Sequence, residues 1–263
     1  MRQKSKSSVK REPALSDRAI RERYLQKILN SNVYDVAKES PLEEMVAMSR
    51  KTGHRFFLKR EDLQCVHSFK LRGAYCKMSH LPRAALEKGV LAASAGNHAQ
   101  GVALSAKRLG CKATIVMPVT TPEIKVNAVK SHGAQVVLSG DSYSDAAVTA
   151  ARLVEERKLT FIPPYDDEDV IAGQGTVAME ILRQHSGRLD AVFVPVGGGG
   201  FAAGVAAGMQ GDDRDAGDDA GDQDRLRQGV GRVHRSGRRQ LFRRRRRGRP
   251  AGGREGVHLH SPL

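Results

Sequence analysis

The sequence has no run of 18 apolar residues, and this excludes a predicted transmembrane helix. Residues 1–12 lack the apolar segment and the small-residue cleavage site of a secretory signal, so we interpret residues 1–15 as a disordered basic arm. Cysteine is also scarce, with only Cys65, Cys76 and Cys111 at wide spacing. Three such cysteines fit neither a disulfide framework nor the spacing of metal ligands, so no metal site is expected. Reduced thiols in a cytoplasmic protein are the expectation.

The positive charge of the chain is unevenly distributed. A length of 263 residues allows one large domain or two small ones with a buried core. The formal net charge of +15 would by itself favour nucleic acid or an anionic membrane as a partner. However, residues 211–263 contain 14 Arg, no Lys and 8 acidic residues, and contribute +6 of that charge. The charge therefore does not indicate a basic surface shared by the whole chain.

The composition changes abruptly after Met209. Only 8 of the 53 residues from 211 to 263 are Leu, Ile, Val or Phe, which is below the fraction of about 20% needed for a core. Residues 210–263 are therefore predicted to be a low-complexity, disordered tail rich in Asp, Gly and Arg. Our hypothesis is a truncation or a change of reading frame after about residue 209, because GC-rich codons read out of register encode many Arg and Gly residues.

An Arg-rich protein that binds nucleic acid through this tail is an alternative from a different functional class. The run Arg243–Arg247 would contact phosphates. The absence of lysine, the single interleaved aromatic Phe242 and the acidic residues all disfavour it. We expect no nucleic-acid partner and no membrane partner.

Before the tail, short apolar runs alternate with helical patterns. Ser16 or Asp17 is expected to cap a first helix. The runs expected as strands are Phe56–Leu58, Val90–Ala93, Ala113–Met117, Gln135–Leu138 and Ala191–Val196. Further helices are expected near 70–80, 97–109, 122–132, 142–157 and 173–185. Strands that are apolar on both faces and alternate with helices predict an α/β fold with a mostly parallel sheet.

Lys70 follows a strand and a polar loop and stands at the predicted start of a helix. The positive end of the helix dipole is expected to lower the pKa of this ammonium, as a lysine that forms a Schiff base requires. Read alone, Lys70 would be interpreted as a solvated surface lysine.

Two small-residue segments also follow predicted strands. Ser94–Gly101 offers exposed amides at a helix start, which suit a carboxylate or phosphate, and Asn97 carries an amide for a ligand oxygen. The alternative is an ordinary turn capped by Asn97, with His98 in a packing or capping role. Gly197–Gly200 has no side chains, so its successive amides can converge on an anion. This segment predicts a phosphate-binding turn, with a flexible linker as the alternative.

Five motifs in order closely resemble the threonine ammonia-lyase (threonine dehydratase) family. They are His67–Ala74, Ser94–Gly101, Pro163–Asp167, Val170–Thr176 and Gly197–Gly200. Tyr24–Leu29 and Lys59–Asp62 are similar to the biosynthetic branch, the first enzyme of isoleucine synthesis. The resemblance covers about residues 19–209 and makes 16–209 the expected catalytic region.

The resemblance implies the tryptophan-synthase-β-like pyridoxal phosphate fold (fold type II), with a large and a small parallel α/β domain. The small domain is expected at roughly 92–169, and the large domain is expected to be incomplete. Pyridoxal 5'-phosphate is the implied cofactor, a small amino acid the implied substrate, and a homo-oligomer the implied assembly of the intact family. By the resemblance, Lys70 would form the Schiff base with the cofactor, Phe69 would pack beside it, and Asn97 would bind its ring hydroxyl. The residues implied at its phosphate are Gly197, Gly198, Gly199 and Gly200. The residues implied at the substrate carboxylate are Ser94, Ala95, Gly96, Asn97 and His98.

The sequence also departs from the family pattern. Phe201 replaces the usual leucine directly after the glycines, and this larger ring is expected to strain the packing. The acidic run Asp166–Asp169 is interpreted as the first turn of a helix and not as a cation site. A serine dehydratase or serine racemase remains an alternative function, because the shared motifs bind the common core of an amino acid. An inactive fragment of the family is a further alternative.

Overall fold

The computed structural model describes residues 16–209 and the backbone of a short strand at 234–235. The expectations for the basic arm at 1–15, for the change of reading frame and for the Arg run at 243–247 lie outside the described residues. Within the described part, α-helices and β-strands follow one another along the chain. The helices are α1 Asp17–Leu29, α2 Val46–Thr52, α3 Lys70–Ser79, α4 Arg83–Lys88, α5 Asn97–Leu109, α6 Glu123–Lys130, α7 Tyr143–Arg157, α8 Glu168–Gln184 and α9 Gly200–Met209. The strands are β1 Leu42–Glu44, β2 Phe57–Lys59, β3 Val90–Ala93, β4 Ala113–Met117, β5 Gln135–Leu138, β6 Thr160–Phe161, β7 Pro195–Val196 and β8 His234–Arg235.

A parallel sheet of four strands in the order β5-β4-β3-β6 confirms the predicted α/β class. Every residue of β3 and β4 is buried, because helices cover both faces. One face of the sheet packs Ala92 and Ile115 against α5 and α6. The other face packs Leu91 and Val116 against α7. The ends of β3, β4 and β5 coincide with the predicted ones.

A second group of helices packs through glycines, which allow close approach of backbones. A Cβ at Gly173 on α8 would overlap the main chain of Arg72 on α3. A Cβ at Gly204 on α9 would overlap the main chain of Ile171, and Gly175 faces the carbonyl of Gly204. These glycines bring α3, α8 and α9 into direct backbone contact.

Two sequence predictions differ from the structure by more than two residues at one end. Ala191–Val196 forms a strand only at Pro195–Val196, which pairs in parallel with β8. Within the described part of the chain no strand lies beside residues 191–194, so their apolar side chains do not suffice to form a ladder. Helix α8 begins at Glu168, before the predicted position 173, because the Asp167 side chain caps it.

No helix among the described residues is long and apolar enough to cross a membrane.

Candidate active site

The starts of three helices converge, and each carries one of the motifs singled out in the sequence. Lys70 is the first residue of α3, Asn97 the first of α5 and Gly200 the first of α9. Gly101 on α5 lies against the backbone at Leu71, where an added Cβ would come within 3.1 Å of the Leu71 Cα. Phe69 stacks on Phe201 with ring centroids 4.0 Å apart. The structure therefore brings the three motifs together at one place.

Lys70 is half-buried and its ammonium is hydrogen-bonded. His67 adopts a left-handed backbone conformation (φ 55°), and the Ser68 hydroxyl accepts a hydrogen bond from the Lys70 amide. The Lys70 Nζ donates to the carbonyl of Pro164 at 2.6 Å. Burial lowers the pKa of Lys70, as was predicted, although the prediction gave the helix dipole as the cause. The interpretation of Lys70 as a solvated surface lysine is wrong.

The loop from Ser94 to Asn97 leaves open space at its tip. The Ser94 hydroxyl accepts from the amide of Gly96 at 3.2 Å, and no atom lies within 4 Å of the position of a Gly96 Cβ. Gly96 occupies the N-cap position of α5, so the alternative in which Asn97 caps the helix is wrong. Asn97 is exposed at the first position of the helix. Its side chain is therefore accessible beside the loop.

His98 has the surroundings of a packing residue. Its side chain is 4% exposed, and Nε2 lies 2.9 Å from the carbonyl of Ile162. A carbonyl can only accept, so Nε2 carries the proton of the neutral ring. Burial, opposed by this hydrogen bond, lowers the pKa of His98 to about 4. The ring therefore remains neutral and bound to the main chain.

The four glycines that lead into α9, Gly197–Gly200, have two kinds of surroundings. Gly198 and Gly200 face Tyr165, whose ring and main chain would overlap a Cβ at these positions. Gly197 and Gly199 face open space, and Gly199 has φ +94°, a conformation that side chains with a Cβ rarely adopt. A turn with these contacts is packed on one side and open on the other. It is not a flexible linker between elements.

Phe201, whose size is expected to strain the packing, lies against Phe69. Its ring lies nearly parallel to that of Phe69, with an interplanar angle of 13°. Such a stacked pair contributes about 0.5–1.5 kcal/mol beyond the area it buries. The pair connects the residue before Lys70 to the residue after the glycine turn.

A segment that we call the strap, Ile162–Tyr165, contacts all three helix starts. The carbonyl of Ile162 accepts a hydrogen bond from His98, and the carbonyl of Pro164 accepts one from Lys70. Tyr165 packs on the glycine turn. Sequence reasoning assigned no role to these strap residues, although they lie partly within a motif of the family resemblance. The pair Pro163-Pro164 could have indicated the strap. It lacks backbone N–H groups, so its main chain can only accept hydrogen bonds from other groups.

A buried ion network lies beneath the site and was also missed. The Arg72 guanidinium is fully buried and pairs with Glu61 at 2.8 Å and with Glu180 at 2.5 Å. Lys59 adds a second cation 2.7 Å from Glu180. Burial opposes ionisation of Glu180, but hydrogen bonds and charges from Arg72 and Lys59 outweigh it, so the pKa of Glu180 is below its ordinary value. The network joins α3 to α8 and to the chain before α3.

The acidic run at 166–169 is the start of a helix, as interpreted. Asp167 caps α8 by accepting from the amides of Asp169 and Val170. Asp169 pairs with Lys27 of α1 at 2.8 Å. Among the described residues, no group of His, Cys, Asp and Glu is arranged to hold a metal ion.

Comparisons with known proteins agree with this arrangement. The chain is 61% identical over 187 residues to the biosynthetic L-threonine dehydratase of Burkholderia multivorans, a match that covers 70% of this chain and 37% of that relative. The fold superposes on the processed form of threonine deaminase isoform 2 from Solanum lycopersicum with a TM-score of 0.73 and 53% identity, over 77% of this chain and 56% of that one. Maize serine racemase superposes with a TM-score of 0.69 and 32% identity, over 72% of this chain and 58% of that one.

The chain thus spans less than two fifths of the length of the curated relative and a little over half of the solved threonine deaminase. The family model described as "Pyridoxal-phosphate dependent enzyme" matches residues 33–220, which is most of the chain. The convergent helix starts, the match to this model and the likeness to the solved structures agree, and the chain belongs to the family of pyridoxal-phosphate dependent enzymes.

Proposed function

We propose that this chain provides the lysine and the anion-binding turn of a site that deaminates L-threonine to 2-oxobutanoate and ammonia. This reaction is the first step of isoleucine biosynthesis. The observation that carries the proposal is the desolvated Lys70 amine, held on the Pro164 carbonyl where the starts of α3, α5 and α9 meet. The 61% identity to a biosynthetic threonine dehydratase supports the same reaction.

The residues present fit pyridoxal phosphate. Lys70 would bind the cofactor through Nζ, because burial favours the neutral amine that attacks a carbonyl. Gly197, Gly198, Gly199 and Gly200 would hold its phosphate with the amides at the start of α9. The open space at Gly197 and Gly199 supports this role. Phe69 would pack beside the ring, and Asn97 would donate to the ring hydroxyl.

The loop Ser94–His98 would bind the substrate carboxylate. Ser94, Ala95, Gly96, Asn97 and His98 surround the first turn of α5, where backbone amides lack helical partners. The absence of any atom near the Gly96 Cβ position leaves room for a carboxylate there. In this arrangement His98 contributes its main chain, because its ring is bound to Ile162.

Lys70 is also the group that would move the α-proton of the substrate. When bound, pyridoxal phosphate supplies an electron sink for the charge that develops at the α-carbon. Lys70 Nζ would take the α-proton, and its lowered pKa favours the free amine that this transfer needs. The net reaction removes ammonia from threonine and leaves 2-oxobutanoate.

A serine dehydratase or serine racemase is the second candidate, favoured by the 32% identity to maize serine racemase. The higher identity of 53% to threonine deaminase favours threonine. Threonine differs from serine by one methyl group, which contributes only about 1–3 kcal/mol to discrimination in a pocket. The test is therefore to measure kcat/KM for both substrates. A larger kcat/KM for serine than for threonine would favour the second candidate.

The cellular setting of the proposal is the cytoplasm, with the chain in an assembly of identical subunits. Cys65, Cys76 and Cys111 are all free thiols, as in proteins of reducing compartments. A small amino acid is the proposed partner, and neither nucleic acid nor a membrane has a part in the proposal.

The test is covalent capture of the cofactor at Lys70. The chain is incubated with pyridoxal phosphate, reduced with borohydride and digested, and the mass of the Lys70 peptide is measured. We expect the phosphopyridoxyl mass on this peptide, its loss in Lys70→Ala, and its retention in the control Lys88→Ala, which changes an exposed lysine at the end of α4. Modification spread equally over exposed lysines would refute the site.

A further inference from the structure

Two of the four strap residues have no amide N–H with which to hold the strap in place. The Ile162 amide donates to Leu91 at 2.8 Å and completes the pairing of β6 with β3. The next two residues, Pro163 and Pro164, have no N–H group to donate. The strap therefore depends on donors that reach its carbonyls from elsewhere.

Two side chains supply these donors in the described part of the chain. Lys70 Nζ donates to Pro164, and His98 Nε2 donates to Ile162. Lys70 must release the Pro164 carbonyl whenever its amine reacts. His98 is then the remaining side-chain donor, and it is buried on a helix that lies against α3 at Gly101.

We propose that His98 is a positioning residue: its hydrogen bond to Ile162 fixes the strap and thereby holds Lys70 and the glycine turn in their reactive arrangement. The strap transmits this constraint because Tyr165, one residue beyond Pro164, packs on Gly198 and Gly200. The inference rests on the proposed function, in which Lys70 and the glycine turn bind one cofactor.

The chemistry of the ring suits this role. A neutral imidazole donates one hydrogen bond without placing a second positive charge beside the Lys70 ammonium. Burial keeps the His98 ring neutral across the range in which Lys70 reacts. A glutamine side chain places a neutral N–H at nearly the same distance from the backbone, whereas the asparagine side chain is one bond shorter and cannot reach Ile162.

The test therefore compares His98→Gln with His98→Asn, and uses His132→Asn as the matched control. His132 is a partly buried histidine that follows α6, and its contacts do not include the strap. Each purified full chain is acetylated with acetic anhydride over a range of pH, and the rate at Lys70 is followed by mass spectrometry. Capture of pyridoxal phosphate by borohydride and thermal unfolding are measured in parallel.

In His98→Asn we expect the pH profile of Lys70 acetylation to move to higher pH, towards that of an ordinary lysine. We also expect the capture of pyridoxal phosphate to weaken about tenfold, which corresponds to the loss of one hydrogen bond of about 1.4 kcal/mol. His98→Gln should restore both, and His132→Asn should change neither. A purely structural role would lower the thermal midpoint in both His98 variants without moving the profile, and that result would overturn the inference.

The two proposals fail in different ways. If wild-type Lys70 captures no pyridoxal phosphate, the proposed function is refuted whatever the His98 variants do. If wild-type Lys70 captures the cofactor and His98→Asn behaves identically to it, only the positioning role is refuted.

Discussion

Consecutive glycines at 197–200 meet different requirements, although the sequence shows four identical residues. Gly200 is needed because the main chain of Tyr165 occupies the place of a Cβ. Gly197 has open space around it, so the fold itself does not require glycine there. Stability and the proposed anion binding should therefore be separable by single substitutions in one turn.

We expect Gly200→Ala to lower the free energy of unfolding by about 1–3 kcal/mol, because the added methyl group displaces the Tyr165 main chain. Gly197→Ala should leave stability within about 0.5 kcal/mol of wild type but weaken the capture of pyridoxal phosphate, since the methyl group projects into the proposed phosphate position. Urea denaturation and borohydride capture measure the two effects. Equal loss of stability in both variants would contradict the assignment of the open side to the ligand.

The sequence singles out candidate residues better than it predicts their surroundings. Lys70 is a candidate by its motif, but its half-buried setting and its hydrogen bond to the Pro164 carbonyl, 94 positions away in sequence, come only from the fold. The cause of its lowered pKa was therefore assigned to the local helix dipole. Arg72, two residues later, was not recognised as buried because its partner Glu180 is 108 positions away.

At the scale of secondary structure, ion pairs and glycines together fix the helices that carry the site. Glycines bring α3, α8 and α9 into contact, and the Arg72 network then holds α3 on α8 from within. At the other end of α8, Lys27 of α1 pairs with Asp169 and Lys77 of α3 pairs with Asp167, so both ends of this helix are tied to its neighbours.

Removal of the Arg72 charge should be strongly destabilising. In Arg72→Met, Glu61 loses its guanidinium partner and Glu180 retains Lys59 as a cation, so we expect a loss of about 3–5 kcal/mol in the free energy of unfolding. The control Arg152→Met removes an exposed pair with Glu156 and should cost less than about 0.5 kcal/mol. Urea denaturation at pH 7 compares them, and similar losses would contradict the role of burial.

The free energy of unfolding of wild type and of Arg72→Met should also depend differently on pH. Because the pKa of Glu180 is lowered in the folded state from its ordinary 4.5, its stabilisation is present above pH 4.5 and is lost as the pH falls through the folded-state pKa. In Arg72→Met the carboxylate is poorly compensated and gains from protonation. The difference in stability between wild type and Arg72→Met should therefore shrink below about pH 4.5.

Elements differ in how well local sequence predicts them. Strands β3 and β4 were predicted at their observed ends because all their residues except Thr114 are apolar and both faces are buried. The run 191–194 is equally apolar, but a strand also requires a neighbour to pair with. The apolar pattern places the start of α8 near 173, whereas the interpretation of Asp166–Asp169 as a first turn is close to the observed start at Glu168, where Asp167 caps the helix.

At the scale of the whole molecule, residues 191–194 form an apolar segment without strand pairing in the part of the chain that the structure describes. Phe193 is 61% exposed beside residues that make no strand pairing in the described structure. Exposed apolar residues on unpaired extended backbone promote association between chains.

We expect Phe193→Ser to reduce self-association without lowering the thermal midpoint, because the ring makes few contacts in the folded chain. Val148→Ser on α7 is the control, since Val148 is 73% exposed but lies on a helix whose backbone is internally bonded. Sedimentation velocity over a range of concentrations measures the effect. A control that reduces association as much as Phe193→Ser would show that exposed apolar area alone is responsible.

The position of β6 in the sheet sets the order in which the site can form. Thr160 pairs with Val90, 70 residues earlier, and the strap follows directly from this pairing. Closing so long a loop is slow compared with pairing β3 to β4, which are much nearer in sequence. The contacts of Lys70 and His98 with the strap are therefore expected to form after the main folding barrier. A ligand bound at this site should therefore slow unfolding and leave the rate of folding unchanged.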